Sequence, residues 1–228
     1  MKKIGVITYD YPHFKTEQVL HAFARMGYSI EVYALPFLPR KGRNVLFEHR
    51  PDQSTGVRAD AICKKFGLEL FKCETDSEVR TGCDYYHVLI GKVISPSCLA
   101  DKRVINCHPG VIPAVRGLDA FKWAVLDNRP LGNTLHYIDE AVDMGEVISV
   151  EPTPVYKTDS LERLARRHYE CEIEMVVNFE RYLKEPSNVF ADSPEGMQNM
   201  RMNKETERSM LEAADRYIRE QSERPYAS

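Results

Sequence analysis

Apolar residues along the chain fall into short runs separated by stretches with helical spacing. Runs at 3–8 and 30–34 predict β-strands, and the apolar spacing from Thr16 to Gly27 predicts an amphipathic helix between them. The pattern also predicts strands at 68–71, 86–90, 103–107, 134–138 and 146–150, and helices at 59–66, 120–127, 161–183 and 204–220. This alternation predicts an α/β fold with an open, mostly parallel Rossmann-like sheet and helices on both faces. Such sheets bind ligands beyond the carboxyl ends of their strands.

The C-terminal part differs from the rest in its pattern. A polar connector with Pro194 and Gly196 leads into the last predicted helix, which is charged and has a thin apolar stripe. We expect a main domain at 1–185, which would be catalytic, and a helical C-terminal extension at 186–228. The stripe favours either internal packing or a homodimer contact.

Composition limits the classes of function. With 31 basic and 34 acidic residues the formal net charge is −3, which gives no global attraction to nucleic acid or to an anionic membrane. No apolar run approaches the roughly 18 residues that a membrane helix needs. The six cysteines form no CxxC pair, so we expect no metal site and reduced thiols. We therefore expect a cytoplasmic protein that acts on small molecules.

Three polar residues between 104 and 150 suggest chemistry. Asn106 and His108 lie two apart where a predicted strand ends, so their side chains can point to the same side, and Asp143 precedes a later glycine. An amide and an imidazole can stabilise an oxyanion during acyl transfer, and a carboxylate can orient the imidazole or move a proton. Each residue alone is also compatible with a purely structural role, as a turn residue or a buried structural histidine.

The ordered set resembles the folate-dependent formyltransferases, which include glycinamide ribonucleotide transformylase, methionyl-tRNA formyltransferase and the sugar N-formyltransferases. The family's Asn-x-His-Pro, Pro-x-x-x-Gly, Gly-x-Thr-x-His and Asp-x-Gly motifs appear here at 106–109, 113–117, 132–136 and 143–145. The resemblance implies 10-formyltetrahydrofolate as donor and Asn106, His108 and Asp143 as catalytic residues.

The resemblance also implies a donor pocket and an acceptor site. One wall of the pterin pocket would be formed by Leu89, Ile90, Gly91, Lys92 and Val93, and the other by Ile138, Asp139, Glu140, Ala141 and Val142. The acceptor would contact Tyr9, Asp10, Tyr11 and Arg116, although Arg116 also fits a surface turn.

The acceptor is inferred from what the chain lacks. Glycinamide ribonucleotide transformylase has a Gly-Ser-Gly loop that holds the substrate phosphate, whereas 8–12 here reads Thr-Tyr-Asp-Tyr-Pro. The helical C-terminal part does not resemble the β domain with which methionyl-tRNA formyltransferase binds tRNA. We expect an N-formyltransferase acting on the primary amine of a nucleotide-linked amino sugar. The alternatives are another small amine such as glycinamide ribonucleotide, a 10-formyltetrahydrofolate hydrolase, and a catalytically silent folate- or nucleotide-binding scaffold, against which the presence of Asn106, His108 and Asp143 argues.

Overall fold

The computed structural model describes residues 1–37, 45–139 and 145–224, in which strands and helices alternate. The strands are β1 (Lys3–Tyr9), β2 (Ser29–Leu35), β3 (Glu69–Lys72), β4 (Tyr85–Val88), β5 (Val104–His108), β6 (Arg116–Gly117), β7 (Gly132–Tyr137), β8 (Val147–Pro152) and β9 (Gln198–Asn199). The helices are α1 (Phe14–Arg25), α2 (Ala59–Phe66), α3 (Pro96–Leu99), α4 (Ala120–Leu126), α5 (Leu161–Val177), α6 (Phe179–Lys184) and α7 (Lys204–Gln221), with one 3-10 turn at Asp76–Glu78.

The large sheet has seven strands in the order β3-β2-β1-β4-β5-β7-β8. Strands β1 to β5 pair in parallel, and β7 and β8 form an antiparallel pair. The predicted α/β class with an open, mostly parallel sheet is therefore confirmed. Within the described ranges no helix is long and apolar enough to cross a membrane.

The described residues divide into two compact units by contact. Unit 1 takes its residues from 1–41, 52–106 and 137–146 and contains β1 to β4, the first part of β5, and α1 to α3. Its core includes Ile7, Tyr33, Tyr86 and Val104, which are almost completely buried. The interior of β1 is buried on every residue, as expected for a central strand of a parallel sheet covered on both faces.

Unit 2 takes its residues from 42–51, 107–136 and 147–228. Its core gathers around Phe121 of α4, Leu164 of α5 and Met210 of α7. Helix α7 packs against α4, and β9 pairs with β6. The apolar stripe of the last helix is thus a packing surface of this unit, while the homodimer stays a prediction. The boundary predicted between 185 and 186 also stays a prediction.

The helix predicted at 161–183 is interrupted. It is present as α5 and α6, which meet at Asn178. The Asn178 side-chain amide donates to the Glu174 carbonyl at 3.1 Å, and its backbone N–H donates to the same oxygen at 2.9 Å. An asparagine that bonds its own helix in this way competes with the regular backbone pattern, which explains the break.

A buried ion pair joins α4 to α7. The Lys122 ammonium contacts the Glu207 carboxylate, and both side chains are at most 1% exposed. Glu207 also accepts the Leu46 backbone N–H at 2.9 Å. Because removing one partner leaves a charge buried without compensation, Glu207→Ala should lower the free energy of unfolding by about 3 to 5 kcal/mol. Urea denaturation at neutral pH measures this loss.

The control for this substitution lies on the same helix. Glu212 is exposed in α7, so Glu212→Ala should change the free energy of unfolding by less than about 0.5 kcal/mol. Equal losses for the two variants would contradict a stabilising role of the buried pair.

Candidate active site

Strand β5 carries two of the predicted catalytic residues at its carboxyl end. Asn106 lies opposite Val88 of β4 in the parallel register and is partly buried, while His108 is 4% exposed. Residues two apart in a strand face the same side, so the amide and the imidazole share one side of β5 and Cys107 takes the other. Both residues belong to β5, and their catalytic roles stay a prediction.

The imidazole of His108 is fixed from within unit 2. Its Nε2 lies 3.0 Å from the Val115 carbonyl oxygen. A carbonyl oxygen only accepts, so Nε2 donates and carries the ring proton of the neutral form, and Nδ1 then has the lone pair. The orientation and tautomer of His108 are therefore set by the backbone of the following turn.

The turn after β5 is held by Thr134 of β7. The Thr134 hydroxyl donates to the Gly110 carbonyl at 2.7 Å and accepts the Ile112 backbone N–H at 3.0 Å. A Cβ at Gly110 would lie 2.6 Å from the Val115 carbonyl oxygen and 2.8 Å from His108 Nε2. Glycine is therefore required here, which gives a steric reason for the glycine after His-Pro.

The third predicted catalytic residue, Asp143, lies outside the described residues, as do Glu140, Ala141 and Val142 of one predicted pocket wall. The Ile138 N–H donates to the Val104 carbonyl at 2.8 Å. A Cβ at Gly145 would lie 1.8 Å from the Tyr137 carbonyl oxygen, so the glycine of Asp-x-Gly is required by a close backbone approach.

The remaining predicted donor-pocket residues lie in unit 1. Leu89 and Ile90 are buried, and Gly91, Lys92 and Val93 are exposed directly after them. The Leu89 N–H donates to the Ile7 carbonyl at 3.0 Å, and the Gly91 N–H donates to the Tyr9 hydroxyl at 3.1 Å. On the second predicted wall, Ile138 is partly buried and Asp139 is exposed.

The predicted acceptor residues at the end of β1 are held by charges and rings. Asp10 pairs with Arg58 at 2.5 Å and with Lys72 at 3.0 Å. The ring of Tyr11, 39% exposed, stacks on Phe37 with centroids 4.5 Å apart. This end of β1 therefore presents aromatic surface and a paired carboxylate.

Arg116 belongs to unit 2 and is engaged within it. Its guanidinium donates to the Gly196 carbonyl at 2.8 Å and pairs with Glu195 at 3.1 Å. In this structure the Arg116 guanidinium therefore holds the segment before β9 in place. A contact between Arg116 and substrate stays a prediction.

Sequence reasoning missed His168, a histidine of α5 that is 2% exposed and reaches the turn after β5. Its Nε2 lies 3.3 Å from the Pro109 carbonyl oxygen, and its Nδ1 lies 2.7 Å from the Thr153 hydroxyl. The signal in the sequence was its position on the buried stripe of α5, seven residues after Leu161. Periodicity shows that such a residue is buried but not what it contacts.

Comparisons with known proteins match the segment that contains β5 to a family model. Residues 74–179 match the family model described as formyl transferase, and this range includes Asn106, His108 and Asp143. Residues 74–179 are thus similar to a formyltransferase domain. The resemblance to the formyltransferase family is thereby confirmed.

Relatives of known sequence match only part of the chain. The phosphoribosylglycinamide formyltransferase of Bacillus subtilis (strain 168) is 34% identical over 71 residues, which are 31% of this chain and 36% of that protein. Across the first curated relatives, the matched part spans 6% to 36% of their lengths.

Solved structures share the fold over most of the chain. An N-formyltransferase from Helicobacter canadensis, in complex with folinic acid and dTDP-3-aminofucose, superposes with a TM-score of 0.59 at 15% identity, covering 93% of this chain and 80% of that one. The phosphoribosylglycinamide formyltransferase of Streptococcus pneumoniae TIGR4 gives 0.55 at 19% identity, covering 81% and 98%. At these identities the likeness shows the fold.

His168 should make stability depend on pH. Burial, together with the nearby Arg50 charge, lowers its pKa to about 4. In the unfolded chain the pKa returns to about 6.5, so between these values the folded state binds fewer protons. Stability should therefore be full above pH 6.5 and fall towards pH 4, by up to about 1.4 kcal/mol per pH unit from this group.

Urea unfolding measured at intervals between pH 7 and pH 4 tests this dependence. His168→Gln should flatten the slope because glutamine does not titrate. Leu211→Gln, which places the same side chain at an exposed position of α7 and titrates in neither form, serves as control and should leave the slope unchanged. An identical slope in wild type and His168→Gln would contradict the assignment.

Proposed function

We propose that the chain is an N-formyltransferase that moves a formyl group from 10-formyltetrahydrofolate to the primary amine of a nucleotide-linked amino sugar. The observation that carries the proposal is the carboxyl end of β5, where Asn106 and a firmly held His108 share one side of the strand inside the range that matches the formyltransferase family.

The reaction is an acyl transfer in two stages. The neutral amine attacks the formyl carbon, and a C–N bond forms while the carbonyl π electrons move to oxygen. Asn106 donates to that oxyanion through its amide, and His108 stabilises the same charge once its Nδ1 has accepted the proton lost by the amine. The C–N bond to the folate nitrogen then breaks, and the carbonyl is restored. Asp143 holds His108 or a water that takes the proton lost by the amine and returns it to the departing nitrogen.

The donor is assigned through the family, whose members use 10-formyltetrahydrofolate. The walls proposed for the pterin are 89–93 and 138–142. Leu89 and Ile90 supply apolar surface, and the exposed backbone that follows them supplies donors and acceptors for the polar edge of a bound ring.

The acceptor is assigned from the end of β1. A phosphate would need a concave set of backbone N–H groups, which a glycine-rich loop provides. This chain instead has Tyr9, Asp10, Tyr11 and Pro12, with the Tyr11 ring stacked on Phe37. Aromatic faces can receive a nucleotide base or the apolar face of a sugar. The Helicobacter canadensis neighbour was solved with dTDP-3-aminofucose, which supports the same class of acceptor here.

Glycinamide ribonucleotide is the second candidate acceptor. It is favoured by the sequence relatives, among which the Bacillus subtilis protein is named phosphoribosylglycinamide formyltransferase. The paired carboxylate of Asp10 at the end of β1 argues against a phosphate at that position.

The test offers the purified chain 10-formyltetrahydrofolate with dTDP- and GDP-linked amino sugars, with glycinamide ribonucleotide, and with no amine. Folate release and the formylated product are followed together. We expect turnover with a nucleotide-linked amino sugar. Turnover of glycinamide ribonucleotide alone would overturn the acceptor, and formate release without any amine would indicate the hydrolase.

Variants test the mechanism in the same assay. Asn106→Ala, His108→Ala and Asp143→Ala should each lower kcat by about a hundredfold or more, because each removes a group that stabilises charge or carries a proton. His21→Ala, on α1, is the histidine control and should keep wild-type kcat. Wild-type rates in the His108 and Asp143 variants would rule out the mechanism.

A further inference from the structure

The turn that follows His108 is contacted by a buried polar cluster of unit 2. The cluster consists of His168 on α5, Asn133 on β7 and Thr153 directly after β8, all at most 2% exposed. His168 lies at its centre, because both ring nitrogens and its backbone carbonyl take part. The Asn133 amide nitrogen lies 3.3 Å from that carbonyl oxygen.

The protonation state of His168 follows from its partners. The Pro109 carbonyl oxygen can only accept, so Nε2 is the donor in that contact. In a neutral ring Nδ1 then accepts, which suits the Thr153 hydroxyl at 2.7 Å. Its surroundings therefore select the neutral ring with the proton on Nε2.

The contact with Pro109 acts on the backbone next to His108. Proline lacks an N–H, so its carbonyl is the backbone group by which this residue can be held. Thr134 holds the next carbonyl, that of Gly110, and His108 itself donates to Val115. The turn from 109 to 115 is thus fixed at its start, at its glycine and at its end, with His168 responsible for the start.

We propose that His168 is a positioning residue for His108: by donating to the Pro109 carbonyl it fixes the turn whose Val115 carbonyl orients the His108 imidazole. This inference rests on the proposed function for its effect on rate. Its structural part, the control of the His108 ring, stands independently of any substrate.

Nitrogen-15 spectra of the full chain with labelled histidine test the structural part, since they report which ring nitrogen of His108 carries the proton. In wild type we expect the Nε2–H form. In His168→Leu the donor is lost, so His108 should change to a mixture of tautomers. His168→Gln should restore the wild-type signal, because the glutamine amide nitrogen can occupy the place of Nε2. An unchanged His108 signal in His168→Leu would overturn the inference.

Kinetics test the effect on the reaction. With the acceptor that the assay identifies, His168→Leu should lower kcat about tenfold with little change in KM. The reason is that the displaced His108 ring acts on the transition state. His168→Gln should recover most of this loss. Val176→Ala, a buried substitution about two turns further along the same helix and outside the core cluster that includes Val111 and Val115, controls for stability and should keep kcat per folded molecule.

The two failures are distinguishable. A wild-type chain that formylates no amine would contradict the proposed function, while the His108 spectra would still decide the positioning role. Equal losses of kcat in His168→Leu and Val176→Ala would show that His168 has only a structural role and would overturn the proposal.

Discussion

The hydrogen bond from His108 Nε2 to the Val115 carbonyl is the contact on which the candidate site depends. This bond fixes both the orientation of the His108 ring and the position of the proton on the neutral ring. It also requires a single conformation of the turn between His108 and Val115. That requirement explains the glycine at 110, where a Cβ would meet both partners of the bond. The proposed acyl transfer would thus depend on a local backbone constraint.

Buried polar groups supply the rigidity of this turn. Thr134 and His168 each replace water as the partner of a turn carbonyl, and both lie in the interior of unit 2. A buried polar group without a partner is costly, so such contacts specify one arrangement and penalise others. The same unit buries the Lys122 and Glu207 charges, which connect α4 to α7. The buried polar contacts of unit 2 therefore contribute both to the stability of the fold and to the geometry of the turn after His108.

Sequence patterns predicted the features that repeat along the chain and missed those that depend on distant contacts. Helix α2 was predicted with the bounds that the structure gives, because its apolar spacing and the following glycine are local signals. Strands β6 and β9 have two residues each, too few to carry a periodic signal. The role of His168 depends on a contact with a residue 59 positions earlier in the chain. Local sequence spacing cannot predict such a contact. The sequence predicts the identity of the acceptor least well, because that identity depends on the conformation of the loop that follows β1.

The central claim is that formyl transfer takes place at the carboxyl end of β5. A crystal structure of the chain with folinic acid, a stable formyl-bearing analogue of the donor, tests it most directly. The account predicts the pterin against 89–93 and folate N10, the atom that carries the formyl group in the donor, next to the Asn106 amide and the His108 ring. A folate N10 bound away from β5, with Asn106 and His108 not in contact with the ligand, would contradict it.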